Sequence, residues 1–198
     1  MPKSAGPPAN SVEIRSGAEW REWLRRHHGR GEGAWLVTHT KRPGAPYVSS
    51  AETVEQALCF GWVDSLPRRL DDARTMLWFA PRKVGTGWSR LNKERVARLI
   101  ADGLMEPAGL AKVEAAKADG SWTKLDAVEN LEIPADLTEA FQGHPESAEK
   151  FAVLPRSAKR GIFEWIAQAR QAATRAKRIE ETARLAGRNE RANQWRKG

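Results

Sequence analysis

A chain of 198 residues is long enough to bury a core of its own, and its one cysteine, Cys59, excludes an intramolecular disulfide or a cysteine-rich zinc site. Apolar residues at 40% and charged residues at 29% exclude a collagen-like or wholly disordered chain, and no apolar run approaches the ~20 residues of a membrane helix. The net charge of +8 is unevenly spread, +7 over residues 1–100, −7 over 101–150 and +8 over 151–198, as expected for a module boundary or an interaction tail.

Residues 1–12 read as a loose, proline-rich leader without the apolar stretch of a secretory signal, which points to a reduced, cytoplasmic protein without membrane insertion. Ser16 with Glu19 is a capping box, and Trp20, Trp23, Leu24 and His27 follow at helical spacing up to Gly29. Residues 33–39 read as a strand and 41–48 as a Pro/Gly loop. A second capping box, Ser49 with Glu52, opens a helix through Val54, Ala57 and Leu58 that closes near Gly61. Residues 61–68 and 74–80 are strands flanking the turn Leu70-Asp71-Asp72-Ala73, so they form a hairpin.

From Trp88 onward the pattern is helical. Ser89 caps a helix carrying Leu91, Val96, Leu99 and Ile100, and Pro107 opens the next, which ends before Gly120. Residues 121–134 read as irregular. Asp136 is the expected cap of a short helix, Pro145 the start of another, Ser157 the start of a longer one, and Thr174 the cap of the last. The expected architecture is α+β: a small three-stranded antiparallel sheet with flanking helices, followed by an all-helical C-terminal subdomain. The boundaries are a flexible leader over 1–12, an α+β domain over 13–125, a helical subdomain over 135–187 and a frayed basic tail over 188–198.

The common catalytic and cofactor motifs are absent. Gly29-x-Gly31-x-Gly33 precedes a strand, whereas a dinucleotide loop follows one. Val84-Gly85-Thr86-Gly87 lacks the Lys-Ser/Thr of a phosphate loop, and the four histidines have no ligand-like spacing. No catalytic residue, metal or cofactor is therefore assigned, and Cys59, on an apolar helix face, reads as a small buried hydrophobe.

One carboxylate stands out. Asp64 follows Trp62 by two positions in a strand, so both side chains share one face of the sheet. A half-buried carboxylate there needs a partner, and Arg82 or Lys83 at the end of the opposing strand supplies a cation. This is either a structural ion pair or a ligand site. Nine tryptophans are the strongest compositional signal, and Trp20 or Trp23, Trp35, Trp62 and Trp165 fall at core-like positions. Trp78 and Trp88 sit among arginines, where they either stack ligands or pack against guanidinium groups. The candidate binding site is thus Trp62, Asp64, Arg82, Lys83, Trp88, Ser89 and Asn92, although Ser89 also serves as a helix cap. A candidate basic surface on the last helix comprises Arg175, Lys177, Arg178 and Arg184.

The run Ala57-Leu58-Cys59-Phe60-Gly61-Trp62-Val63-Asp64-Ser65 resembles a block of the YdeI/OmpD-associated, or bacteriocin-protection, proteins. The resemblance continues in order through Phe79-Ala80-Pro81-Arg82-Lys83, Trp88-Ser89-x-x-Asn92, Ala116-Lys117-Ala118-Asp119-Gly120-x-Trp122 and Thr174-Arg175-x-Lys177-Arg178-Ile179, over roughly residues 13–186. Ala80, Leu104 and Ala173 stand where that family usually has Thr, Arg and Glu. The resemblance implies a role in bacterial tolerance of bacteriocins or antimicrobial peptides and carries over no catalytic residue. The leading expectation is a non-enzymatic protein whose partner is another protein or an anionic ligand, since a chain of charge +8 repels cationic peptides. The competing expectations are a nucleic-acid or anionic-ligand binding protein using the basic C-terminal helices and the Arg82, Lys83 and Trp88 cluster, and an enzyme of unknown reaction around Asp64, Arg82 and Asn92.

Overall fold

The computed structural model describes residues 6–194. The chain divides into two compact units, residues 1–123 and 124–198.

The first unit is α+β. Its strands are β1 (Ser11–Glu13), β2 (Ala34–His39), β3 (Trp62–Arg69) and β4 (Arg74–Pro81), and its helices are α1 (Gly17–His27), α2 (Ser50–Cys59), α3 (Arg90–Ala101) and α4 (Pro107–Ala118). The three strands and the hairpin expected from alternation are present. The sheet nevertheless has four strands in the order β1-β2-β4-β3 and is mixed, because β1 runs parallel to β2. This corrects both the three-stranded antiparallel expectation and the loose leader, of which residues 1–5 lie outside the described residues. The reason for the miss is physical. A three-residue strand carries no periodicity of its own, and β1 exists because its backbone pairs with β2 across α1, with Ser11 beside Trp35 and Glu13 beside Val37.

Register decides what each face does. Ala34 lies opposite Phe79 and Leu36 opposite Leu77, while Asp64 lies opposite Phe79 from the other side. This face meets α1 and α2 in the main core of Trp20, Leu24, Leu36, Leu58, Trp62 and Phe79. The other face carries a smaller cluster of Trp35, Val37 and Met76, with the Arg68 guanidinium 5.0 Å above the Trp35 ring. A bulge between Asp64 and Pro67 shifts the register of the edge strand β3. The bulge, Pro67 and two arginines blunt that edge against further pairing.

The helix starts follow local chemistry. Ser16 Oγ accepts from Glu19 N (3.2 Å) while the Glu19 carboxylate accepts from Arg15 N (2.7 Å). Ser49 and Ser89 hydroxyls likewise accept from Glu52 N and Asn92 N to cap α2 and α3, Pro107 is the first residue of α4, and Gly61 leaves α2 with φ +74°. Gly109 is required for another reason, since a Cβ there would stand 2.2 Å from the Cys59 carbonyl oxygen. Cys59 itself is buried, and burial pushes its thiol up from the ordinary value.

The second unit is all-helical among its described residues: α5 (Asp126–Asn130), α6 (Ala135–Gln142), α7 (Ser147–Ala152), α8 (Arg156–Ala167) and α9 (Ala172–Gly187). Its core gathers Leu137, Phe141, Phe151, Phe163, Ile166 and Ala183. Helix α5 occupies a stretch expected to be irregular. The starts also differ, with Pro134, Pro155 and Gln171 at the cap positions in place of Asp136, Ser157 and Thr174. At α6 and α8, proline's fixed φ suits the extended residue before a helix, and this outweighs the carboxylate or hydroxyl two residues later. Trp165, expected in the core, is half-buried at its margin. Of the tail expected to fray, Ala192 is buried and Asn193 Nδ2 donates to the Gly161 carbonyl (3.2 Å), while residues 195–198 lie outside the described residues.

Candidate functional site

A groove of about 580 Å³ lies between the helix-facing side of the hairpin and the start of α2. Strand alternation builds its floor. Leu36 and Thr38 on β2 lie opposite Leu77 and Thr75 on β4, so two apolar side chains and two hydroxyls share one face. Thr38 and Thr75 hydroxyls stand 3.4 Å apart. Ser50 and Thr53 come from α2, and Asp64, Ser65 and Arg69 come from β3. Arg69 is held by Asp72. Arg74 grips Asp71 in the hairpin turn, and with the Ala73 and Arg74 backbone N–H groups it holds the Asp71 carboxyl below the usual range.

Asp64 lines this groove, half-buried, and its carboxylate has neither a hydrogen bond nor an ion pair with the described residues. The expected Asp64–Arg82 or Asp64–Lys83 contact is not made. Arg82 lies 6% exposed, with its guanidinium carbon 3.7 Å above the centroid of the Trp88 ring, and Nη1 donates to Thr86 Oγ1 and the Gly87 carbonyl, both at 3.3 Å. Burial pushes the Arg82 guanidinium down to about 10, and the Asp64 charge acts in the opposite direction without touching it. The pairing is therefore arginine–aromatic rather than arginine–carboxylate. It follows that Asp64→Asn should shift the midpoint of thermal unfolding by no more than about 1–2 °C, because no buried partner is left uncompensated. A fall of 10 °C in differential scanning calorimetry would instead mean that a buried pair forms in solution.

The other expected site residues disperse. Trp62 is a core residue whose indole N–H donates to the His28 carbonyl (3.0 Å). The Lys83 carbonyl closes a turn by accepting from Thr86 Oγ1 (2.7 Å). Ser89 caps α3, and Asn92 Oδ1 accepts from Arg95 Nη1 (3.1 Å). Arg82 and Asn92 thus engage Thr86, Gly87 and Arg95, and among the described residues no hydrogen bond joins either of them to Asp64. What the fold does bring together is Arg82, Lys83 and Trp88, around a small cavity shared with Lys112, Asp119 and Ser121. The groove residues Thr38, Ser50, Thr53 and Thr75 were missed. The cross-strand register of β2 and β4 is the signal that finds the two strand threonines.

The basic surface of α9 is also partly spoken for. Arg175 makes a bidentate pair with Asp136 (2.7 and 3.0 Å), and Arg178 donates to the Trp165 carbonyl with its guanidinium 4.9 Å above that ring. Lys177 is exposed and Arg184 half-buried. Two of the four cations expected to face solvent thus have partners within their own unit. Among the described residues no three His, Cys, Asp or Glu groups cluster as metal ligands, and no helix is long and apolar enough to cross a membrane.

Comparison with known families gives the two units separate assignments. Residues 12–112 match a family described as a domain of unknown function, DUF8412, and residues 130–189 match the family described as Bacteriocin-protection, YdeI or OmpD-Associated. The chain belongs to the DUF8412 family, whose model covers half of it, and its second unit carries the match to the YdeI/OmpD-associated family. No curated protein and no solved structure matches. The groove and the Arg82–Trp88 pair both lie in the DUF8412 part, whereas the YdeI/OmpD-associated part runs from the last residue of α5 through α9. The motif around Gly61-Trp62 therefore belongs to the first match, and the Thr174-Arg175 motif to the second.

Proposed function

We propose that this protein is a non-enzymatic, cytoplasmic binding protein that contributes to bacterial tolerance of bacteriocins or antimicrobial peptides, and that the groove beside Asp64 holds what it binds. The match of residues 130–189 to the YdeI/OmpD-associated family supports the physiological part. The observation that carries the binding part is the lining of the groove: an apolar floor of Leu36 and Leu77 under a few polar groups, with Asp64 unengaged among them. Such a mixture orients a ligand without needing to transform it. The net charge of +8 argues against direct capture of cationic peptides, so the bound species is an anionic ligand or another protein.

Thr75 is exposed at the groove, in a strand where an aromatic side chain is conformationally welcome. Thr75→Trp should therefore fill the groove while leaving the circular dichroism spectrum unchanged. In a bacterial strain lacking the gene, wild-type protein should restore survival under bacteriocin challenge, and Thr75→Trp should lower that survival roughly tenfold or more. Full protection by the folded variant removes the groove from the mechanism, and no protection by wild-type protein removes the tolerance role.

A further inference from the structure

The loop between β4 and α3 leaves two buried donors without acceptors. Arg82 is 6% exposed and Trp88 1% exposed. Arg82 Nη1 donates to Thr86 and Gly87, while Arg82 Nε and Trp88 Nε1 have no hydrogen-bond partner among the described residues. Buried N–H groups are nearly always paired, and a buried cation without a touching carboxylate is costlier still. Both side chains line the same cavity of about 10 Å³, room for a single monatomic or water-sized occupant. Its charge balance is positive: Lys83 and Lys112 line it with Arg82, against Asp119 alone. Asp119 is occupied in holding the loop, accepting from Gly85 N (3.1 Å) and Ser121 N (2.8 Å).

We propose that Arg82 Nε–H and Trp88 Nε1–H together bind one halide-sized monovalent anion in the cavity between the 82–88 loop and the end of α4. Two unpartnered N–H donors on the lining of one cavity, one of them cationic, suit a monovalent anion, whose charge a water molecule does not supply. The small volume favours a monatomic anion over a tetrahedral oxyanion. The stacked Trp88 ring keeps the guanidinium from swinging out to solvent, so the donor geometry is set before the anion arrives. This site stands independently of the groove beside Asp64.

The test uses the full chain, with chloride and bromide titrated against gluconate at constant ionic strength and inorganic phosphate as the larger anion. The Trp88 indole N–H resonance, identified by its loss in Trp88→Phe, should move saturably with either halide. The thermal midpoint should rise by roughly 4 °C at a halide concentration about tenfold above Kd. Trp88→Phe keeps the ring but removes a donor, so the halide needed for the same thermal rise should increase roughly tenfold. Arg82→Gln should abolish the response; should that variant fail to fold, the Trp88→Phe titration decides alone. Absence of a saturable halide shift, an unaltered halide response in Trp88→Phe, or tighter binding of phosphate than of chloride would each overturn the proposal.

Discussion

Replacing Gly109 by alanine is expected to lower the thermal midpoint of the first unit by on the order of 10 °C, a loss of about 2–3 kcal/mol. Helix propensity alone predicts the opposite sign, since alanine is favoured over glycine in a helix interior by about 1 kcal/mol. Packing wins here because the new Cβ would lie 2.2 Å from the Cys59 oxygen, 2.7 Å from the Cys59 carbonyl carbon and 2.8 Å from the Leu58 oxygen. All three are backbone atoms that cannot rotate away. The Cys59 carbonyl is further tied, accepting from Glu106 N (3.1 Å) at the start of α4. Relief therefore requires α4 to move off the end of α2. That movement would carry Lys112 and Asp119 away from the Arg82–Trp88 cavity, so the halide response should weaken together with stability. Calorimetry of the variant checks the prediction, and an unchanged or raised midpoint would show that α4 is not seated this closely on α2.

Trp20→Ala should cost about 3–5 kcal/mol in urea-induced unfolding of the first unit. Trp20 is fully buried, its ring 5.1 Å from Trp23 in a stacked arrangement and 5.3 Å from Phe79 on the sheet. Truncation removes the wedge that joins α1 to α2 and β4, and it also removes the indole N–H donor to the Thr53 carbonyl (3.0 Å). Because Thr53 is a wall of the groove, protection in the challenge assay should fall with stability. Trp20→Phe retains most of the ring and should lose markedly less. Equal losses in the two variants would assign the effect to the indole hydrogen bond rather than to the volume.

Much of this fold was legible because its signals act within a few residues. Ser16, Ser49 and Ser89 each accept a backbone N–H three positions on, so the starts of α1, α2 and α3 could be read directly. The hairpin was legible for the same reason, since Asp71 closes its turn by accepting from Ala73 N and Arg74 N. In the second unit the same reasoning overreached at Asp136. That carboxylate is a plausible cap by position, but its oxygens accept from Arg175, 39 residues away, and the helix begins after Pro134 instead.

The candidate site was less legible, because its chemistry depends on which long-range partner each side chain finds. Alternation placed Trp62 and Asp64 on one face, and the structure keeps them there. Alternation has no bearing on whether Arg82 turns toward that carboxylate or toward the Trp88 ring, and the stacking at 3.7 Å is a tertiary outcome. The parallel strand β1 is another, held by pairing with residues more than twenty positions away. Local hydrogen bonds and side-chain periodicity, which need no partner from elsewhere in the chain, were determined by the amino-acid sequence alone. Sheet membership at the edge, the lining of the groove and the partners of Asp64, Arg82, Arg175 and Arg178 were decided only in the tertiary structure, because a charged or aromatic group has several chemically acceptable partners and packing selects among them.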